Sequence, residues 1–135
     1  MNENAQLFRQ YIEGFMQGGD ETVAERLVDE NVLTHDGLPG QEPGLNGVKQ
    51  TFRALRTAFP DLAPQLQDLI AEGDKVVARF VVTGTHTGDF LGMPPTGRAF
   101  SYDEITIVRF RDGKIVEHWA EMDSLGMMQQ LGALG

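Results

Sequence analysis

The sequence contains no cysteine, which excludes disulfides, thiolate metal sites and cysteine nucleophiles. Basic residues are also few: eleven Lys and Arg stand against twenty Asp and Glu, for a formal net charge of −9. This balance, without any run of basic residues, argues against a nucleic-acid partner. No stretch approaches about 18 consecutive apolar residues, and the start, MNENAQLFRQ, lacks the basic and apolar regions of a signal peptide. We therefore expect a cytoplasmic protein that does not span a membrane.

The first half of the chain predicts helices. The length of 135 residues and a hydrophobic content of 41% fit one domain, residues 1–135, with its own core. Apolar residues recur at helical spacing from about Asn4 to Gln17. A second pattern follows Asp20, a suitable helix cap, and carries Val23 to Val28. A third pattern runs from Val48 to Phe59 and ends before a proline.

The second half predicts strands, followed by a short helix. The segments Gln65–Ala71, Val76–Thr85, Ser101–Phe110 and Ile115–Met122 are rich in β-branched residues or alternate in polarity. Turns containing glycine join the first pair and the last pair of these segments. Asp123 or Ser124 then caps a final helix. The order predicts an α+β domain, with helices on one face of an antiparallel sheet.

The segment Gly84 to Phe100, GTHTGDFLGMPPTGRAF, connects two of the long strands. Its glycines and the Pro94-Pro95 pair fix a turning path, and its apolar residues give it an underside that can pack. We expect a rigid rim or lid over a pocket, with Arg98 anchored to a carboxylate. The alternative is a connection that only covers a sheet edge.

Several pieces of the chain, in this order, resemble the SnoaL-like polyketide or ester cyclases of the NTF2-like superfamily. They are Thr34-His35-Asp36, AFPD from Ala58, GTHTGDFLGMPPTGR, Val108-Arg109-Phe110, DGKIVEHW from Asp112, Asp123 and QQLGA from Gln129. The resemblance implies a cone in which N-terminal helices pack on a curved antiparallel sheet around a pocket, usually in a homodimer. It also implies ring closure by an intramolecular aldol reaction, without metal or organic cofactor.

This sequence departs from the family's pattern at the positions of the reactive residues. An acidic residue on the pocket wall serves these cyclases as general base and then as acid. Alignment on the hairpin glycine and the QLG tail places that aspartate on Ala120 and a neighbouring histidine on Thr106. Alanine transfers no proton, so other residues must supply the chemistry if the protein is an enzyme.

Strand alternation then selects His118 and Glu104 as candidate catalytic residues. Residues two apart on a strand share a face, so both should lie with Thr106 and Ala120 towards the pocket. Histidine side chains titrate near neutral pH, which suits acid–base catalysis. A buried glutamate needs a partner or a proton. The alternatives are a hydrogen-bonded core histidine and a structural pairing of Glu104 with His118 or Arg98.

Further residues are candidates for ligand contacts, each with a structural alternative. The resemblance places Phe15 and Thr51 at pocket-lining positions. His35 either lines the pocket mouth or caps a turn with Asp36, and His86 either contacts a ligand carbonyl or holds the loop backbone. The complete candidate ligand-binding set is Phe15, His35, Thr51, Phe52, Phe59, His86, Thr106, Ala120 and Met122.

The outer face of the sheet should carry an apolar patch. Alternation places Trp119 there with Ile105, Ile107 and Ile115. Such a patch is covered in a dimer, so we expect a homodimer through this face.

For function, we expect a cofactor-independent cyclase or isomerase acting on a small apolar carbonyl compound. A related hydrolase, dehydratase or hydroxylase, and a non-catalytic binding or dimerising module, remain open alternatives because one fold hosts many functions.

Overall fold

The computed structural model describes residues 2–133. The helices are α1 (Glu3–Tyr11), continued by a π-helical turn (Ile12–Gln17), α2 (Glu21–Leu27), α3 (Gly44–Ala58) and α4 (Ser124–Gln130). The strands are β1 (Val28–Thr34), β2 (Ala63–Glu72), β3 (Lys75–Thr85), β4 (Ala99–Arg111) and β5 (Lys114–Met122). The predicted α+β arrangement, with helices before the main strands and a short helix at the end, is confirmed.

The five strands form one mixed sheet in the order β1-β5-β4-β3-β2. Strands β2 to β5 are antiparallel neighbours, as predicted. Strand β1 was not predicted, and it joins the sheet edge parallel to β5. Val28, which the helical pattern assigned to the second helix, is its first residue. The sheet is therefore not purely antiparallel, because three polar residues between Val28 and Val32 conceal the strand in the sequence.

Carboxylate caps fix the starts of two helices. The Asp20 side chain accepts a hydrogen bond from the Thr22 backbone N–H at 3.0 Å, before α2. The Asp123 side chain accepts one from the Gly126 N–H at 2.9 Å, before α4. Each bond satisfies a backbone donor that the first helical turn leaves without an intrahelical partner. Both caps confirm the sequence prediction.

The core lies between the helices and the inner face of the sheet. From the helical side it takes Phe8, Ile12 and Phe15, which are buried. From β3 it takes every second residue, including Val76 and Phe80, because alternate side chains of a strand point to one face. The residues between them form the outer face. This division confirms the predicted alternation and determines which side chains can reach an internal cavity.

A bulge in β5 changes the face on which Ile115 lies. Arg109 pairs with Glu117, but the next residue, Phe110, pairs with Ile115, so Val116 is an extra residue on β5. Ile115 consequently turns inward and is only 2% exposed. Its predicted place in the outer patch is therefore wrong, and that patch has one member fewer.

The connection between β3 and β4 is held by backbone hydrogen bonds and packs in a different place from the one predicted. Phe90 and Met93 exchange backbone hydrogen bonds of 3.0 and 2.8 Å around a two-residue turn, where Leu91 and Gly92 have positive φ. The Phe90 ring lies against the buried core residue Phe59, with centroids 5.1 Å apart. The loop is therefore anchored on the core, and it contributes no residue to the wall of the small cavity between α1, β1, α3 and β5.

Arg98, at the end of this loop, does not have the carboxylate anchor that we expected. Its guanidinium packs beside Gly132, where an added Cβ would come within 2.9 Å of the guanidinium carbon. Within residues 2–133, Arg98 forms no ion pair. The loop is tied to the C-terminal segment by packing.

Candidate active site

A small cavity lies where α1, β1, α3 and β5 meet. Its volume is about 50 Å³, and most of its wall is apolar. The few polar groups in the wall are therefore the ones that a ligand must satisfy. The lining residues are Tyr11, Val28, Val32, Thr34, Asp36, Gly37, Gln41, Val48, Thr51, Phe52, Ile115 and His118.

His118 and Asp36 form a hydrogen-bonded pair in this wall. Thr34 pairs with His118 in the parallel ladder, and the His35 N–H donates to the His118 carbonyl at 3.0 Å. The chain leaving β1 therefore brings Asp36 to the imidazole, with 2.7 Å between Nδ1 and Oδ1. A carboxylate only accepts, so Nδ1 carries the proton and Nε2 presents a lone pair in neutral His118. That nitrogen is the available base.

Glu104 is the second acidic group on the inner face. Burial raises the pKa of the Glu104 carboxyl, and smaller opposing effects come from the Thr106 hydrogen bond and the charge of His118. The Thr106 hydroxyl donates to Glu104 Oε2 at 3.0 Å. Glu104 and His118 therefore do not pair directly, and each has its own hydrogen-bond partner. Glu104 holds a proton at higher pH than an exposed glutamate does.

Three hydroxyl side chains complete the polar part of the wall. Tyr11 is buried, and its burial raises the pKa of its phenol, so the group stays a neutral donor. The Thr34 Oγ1 atom is buried and has no hydrogen-bond partner among the described residues. Thr51 donates to Oε1 of Gln41. Thr34 is thus left with unused hydrogen-bonding capacity beside the imidazole.

Three of the predicted site residues line the cavity: His118, Thr51 and Phe52. Thr106 and Ala120 face each other across β4 and β5 on the inner face, as predicted, but they are not part of the cavity lining. Met122 pairs with Glu104 at the far end of the ladder and is 39% exposed. The predicted site residues on β4 and β5 therefore share the inner face of the sheet, but of these only His118 reaches the cavity.

Phe15 and Phe59 lie fully buried in the core and do not line the cavity. Phe15 packs edge-on against the cavity residue Phe52 at 4.8 Å, so it supports the wall from behind. Phe59 packs among Phe90, Phe100 and His86. The structural alternative, core packing, describes both residues.

His35 lies on the outer face of the sheet, opposite the cavity. Its ring stacks on Trp119 with centroids 5.1 Å apart, and its Nε2 lies 2.8 Å from Glu117. Hydrogen bonds from His35 and Arg109 lower the pKa of Glu117. The neighbours His35 and Asp36 thus contact opposite faces of the sheet, because successive side chains of an extended chain point to opposite sides.

His86 is fully buried in the loop between β3 and β4. Its backbone N–H donates to Arg98 at 2.9 Å, and the N–H of Thr96 donates to its Nδ1 at 3.3 Å. These bonds hold the loop backbone, which is the structural alternative considered for this residue. Nε2 of His86 has no partner within the described chain.

Sequence reasoning missed the cavity residues contributed by β1 and the loop after it, Asp36 and Gln41 above all. The sequence points to Asp36 only as part of the Thr34-His35-Asp36 resemblance and as a turn residue beside His35. The available signal was the Thr34-His35-Asp36 triplet, in which the side chains of successive residues point to alternate sides of the chain. Because strand β1 was not predicted, these sides could not be assigned to the inner and outer faces of the sheet.

The three histidines lie in three separate places and do not converge. Among residues 2–133, no group of three or more His, Asp or Glu side chains is arranged to hold a metal ion. In the same range no helix is long and apolar enough to cross a membrane.

The fold and the cavity define a small α+β protein with an internal ligand site between a mixed sheet and its helices. The profile of the SnoaL-like polyketide cyclases matches residues 5–131. The chain belongs to this family.

Two curated relatives are aklanonic acid methyl ester cyclases. DauD of Streptomyces sp. (strain C5) is 34% identical over 137 residues, covering 98% of this chain and 83% of the relative. DnrD of Streptomyces peucetius is also 34% identical over 137 residues, covering 98% and 92%. The solved structure of TsrD from Streptomyces laurentii has a TM-score of 0.86 at 33% identity and covers 98% of both chains. The similarity therefore extends over almost the whole chain.

Proposed function

We propose that this protein is an acid–base enzyme that closes a ring within a small, largely apolar carbonyl ester. The observation that carries the proposal is the 2.7 Å hydrogen bond between His118 and Asp36 in the wall of an apolar cavity. A base held by a carboxylate keeps one tautomer and one orientation, and general base catalysis requires both. The ester cyclase relatives support the reaction class.

The proposed reaction moves protons and electron pairs within one molecule. Nε2 of His118 removes a proton from the carbon beside a carbonyl, and the C–H electron pair becomes an enolate. The enolate carbon attacks a second carbonyl of the same substrate, which forms a C–C bond and an alkoxide. The alkoxide then takes a proton, so the product is an isomer of the substrate. No electron is gained or lost, and the reaction as written requires neither a metal nor an organic cofactor.

Glu104 is the proposed acid for the last step, and the proton that His118 has taken then returns to Glu104 through solvent, which resets both groups. Its raised pKa favours the protonated form that can donate. Glu104 and His118 lie on either side of the Thr106–Ala120 pair along the β4–β5 ladder. A ligand lying along this ladder would contact the base at one end and the acid at the other. Neither Thr106 nor Ala120 then has to transfer a proton.

Asp36→Asn tests this assignment. An asparagine amide can donate to Nδ1, which places the proton on Nε2 and removes the base. With aklanonic acid methyl ester as probe substrate, we expect kcat to fall by about 10²–10⁴-fold while KM changes little. Asp68→Asn, on the exposed ion pair with Arg79, is the matched control. Equal activity of the Asp36→Asn variant and the wild type would contradict the mechanism.

The absence of an acid at Ala120 favours a second group of candidates, namely a hydrolase, dehydratase or hydroxylase relative that uses the same cavity. Product mass separates these reactions from ring closure. An isomer keeps the substrate mass, whereas the others add water, lose water or add one oxygen atom. A ligand that binds and is recovered unchanged under all conditions would favour the non-catalytic binding module.

We further propose that the protein works as a cytoplasmic homodimer through its outer sheet face. Ile70, Val77, Ile107 and Trp119 lie side by side across four strands on that face. Ile70 is 63% exposed, and the neighbouring Ile105 is 47% exposed. A patch of this kind is stabilised when a second copy covers it. Light scattering should show a dimer at micromolar concentration and a monomer for Ile107→Glu, and a monomeric wild type would refute the proposal.

A further inference from the structure

Three hollows meet at the side chain of Gln41. The cavity that holds His118 has a volume of about 50 Å³. A second hollow of about 120 Å³ lies between the loop around Pro39, the α3 face and Leu91. A third, of about 240 Å³, lies between the end of β1 and the start of α3. Gln41 is a lining residue of all three.

Two hydrogen bonds hold the Gln41 amide in place. Its Oε1 accepts from the Leu38 backbone N–H at 3.1 Å and from the Thr51 hydroxyl. Both donors come from the walls of the hollows that Gln41 divides. The amide is therefore fixed as a partition, and its displacement requires that both bonds break.

Two glycines make room for this side chain. A Cβ added at Gly37 would lie 2.8 Å from Oε1 of Gln41. A Cβ added at Gly47 would lie 1.7 Å from the Glu42 carbonyl oxygen and 2.9 Å from Cγ of Gln41, so this glycine makes room for the loop backbone as well as for the side chain. Such distances are shorter than van der Waals contact, so any larger residue at either position would displace neighbouring atoms, including those of Gln41. The seat of Gln41 thus depends on the absence of side chains around it.

The volumes show why this partition matters. Small-molecule pockets usually enclose roughly 300–1,000 Å³, and the cavity beside His118 is far below that range at about 50 Å³. A compound with two fused rings does not fit while Gln41 is seated. If the side chain withdrew, hollows of about 50, 120 and 240 Å³ would join into a space within that range.

We propose that Gln41 is the specificity-determining residue of the site, a partition that admits esters with more than one ring only when its amide leaves Thr51 and Leu38. Small open-chain esters bind without this displacement. The inference rests on the proposed function in one respect, that the cavity beside His118 receives a carbonyl ligand. The partition therefore discriminates between ester ligands by size, against those with more than one ring.

The test compares two ester probes by NMR titration, methyl 2-naphthoate with two rings and methyl acetoacetate with none. For Gln41→Ala we expect the Kd of methyl 2-naphthoate to fall by about tenfold, because the ligand no longer has to break two hydrogen bonds. The Kd of methyl acetoacetate should change by less than about twofold, since it does not displace the partition.

Two further variants check the mechanism without deleting the side chain. Gly37→Ala places a methyl group against the Gln41 amide and should lower the Kd of methyl 2-naphthoate in the same direction. Gln41→Glu keeps the length and the acceptor oxygens, so it should leave both Kd values within about twofold of the wild type. Circular dichroism and thermal unfolding establish that each variant is folded.

The proposal is overturned if folded Gln41→Ala does not bind methyl 2-naphthoate, or if both probes change by the same factor. The Kd values test the role of Gln41, and ring closure tests the proposed function, so either proposal can fail alone. A wild type that closes no ring, with the expected pattern of Kd values intact, would refute the proposed function and leave the partition standing. Ring closure by the wild type, with unchanged Kd values in Gln41→Ala and Gly37→Ala, would refute the partition and leave the proposed function standing.

Discussion

His118 and His86 are both held on the inner side of the sheet, yet their partners give them opposite tautomers. At His118 the partner of Nδ1 is the Asp36 carboxylate, an acceptor, so Nδ1 carries the proton. At His86 both partners of Nδ1 belong to Thr96, the hydroxyl at 3.1 Å and the backbone N–H at 3.3 Å; the N–H can only donate, so Nδ1 accepts and the proton sits on Nε2. One histidine presents a lone pair to a cavity, and the other presents a buried N–H.

The surroundings agree with these two roles. The His86 ring is fully buried and packs edge-on against Phe59 at 5.6 Å. The His118 ring lies in a cavity wall, where a ligand can reach it. The comparison teaches that the chemistry of a histidine follows from the group bonded to its other nitrogen, and that burial alone does not identify a catalytic residue.

The largest effect should come from exchanging each histidine for glutamine. His118→Gln removes the base, and we expect kcat on the ester substrate to fall by about 10²–10⁴-fold. His86→Gln leaves the cavity intact, so kcat per folded molecule should stay within about threefold, as for other changes that do not touch the reacting groups. Steady-state kinetics on both variants check this, and equal losses would erase the distinction.

The free energy of unfolding should show the opposite order, with the larger loss at His86 and the smaller loss at His118. His86→Ala leaves a cavity in the core and frees the loop, so we expect a loss of about 2–4 kcal/mol in the free energy of unfolding. His118→Ala removes a partly exposed pair, whose side chains are 23% and 24% accessible, and should cost about 1 kcal/mol or less. Urea unfolding followed by circular dichroism measures both. A larger loss at His118 would mean that the pair with Asp36 is mainly structural.

The pKa of Glu104 makes stability depend on pH. Because its folded pKa is raised above the ordinary 4.5, the native state holds this proton more tightly than the unfolded chain. That contribution is complete below about pH 4.5 and is lost as pH rises through the folded pKa. Glu104→Gln cannot ionise, so its stability relative to the wild type should increase from pH 4 to pH 7. A difference that is constant with pH would contradict the raised pKa.

The smallest expected effect distinguishes Thr34, whose hydroxyl oxygen is buried, from the fully buried Thr106. Thr34→Val removes a hydroxyl without a partner in the described chain, and we expect a gain of about 1 kcal/mol in the free energy of unfolding. Thr106→Val removes a hydroxyl that donates to Glu104, and we expect a loss of about 1 kcal/mol. Thermal unfolding of the two isosteric variants gives the comparison. A loss at Thr34 would show that its hydroxyl is satisfied in solution.

Sequence patterns predicted most of the fold because its elements follow strong local rules. The helix with Phe8 and Phe15 shows helical spacing, and the strands after Pro60 are rich in β-branched residues. Parity then placed His118 and Glu104 on the inner face, where the structure has them. These inferences needed only residues close together in the sequence.

The candidate site was less predictable because it depends on distant contacts. Asp36 and His118 are 82 residues apart, and no local pattern couples them. The bulge at Val116 reverses parity within a single strand, which misplaced Ile115. The partition at Gln41 depends on empty space beside Gly37 and Gly47, which a sequence does not display.

Strand β1 is an edge strand that pairs only with β5, and Asp36 follows it directly. Edge segments open at a lower free energy than the interior of a sheet. Each opening of β1 would carry the carboxylate away from His118 while the hairpins β2–β3 and β4–β5 stay paired. On warming, turnover should therefore cease at a temperature below the global melting transition. The enzyme would regain activity on cooling without having to refold its core.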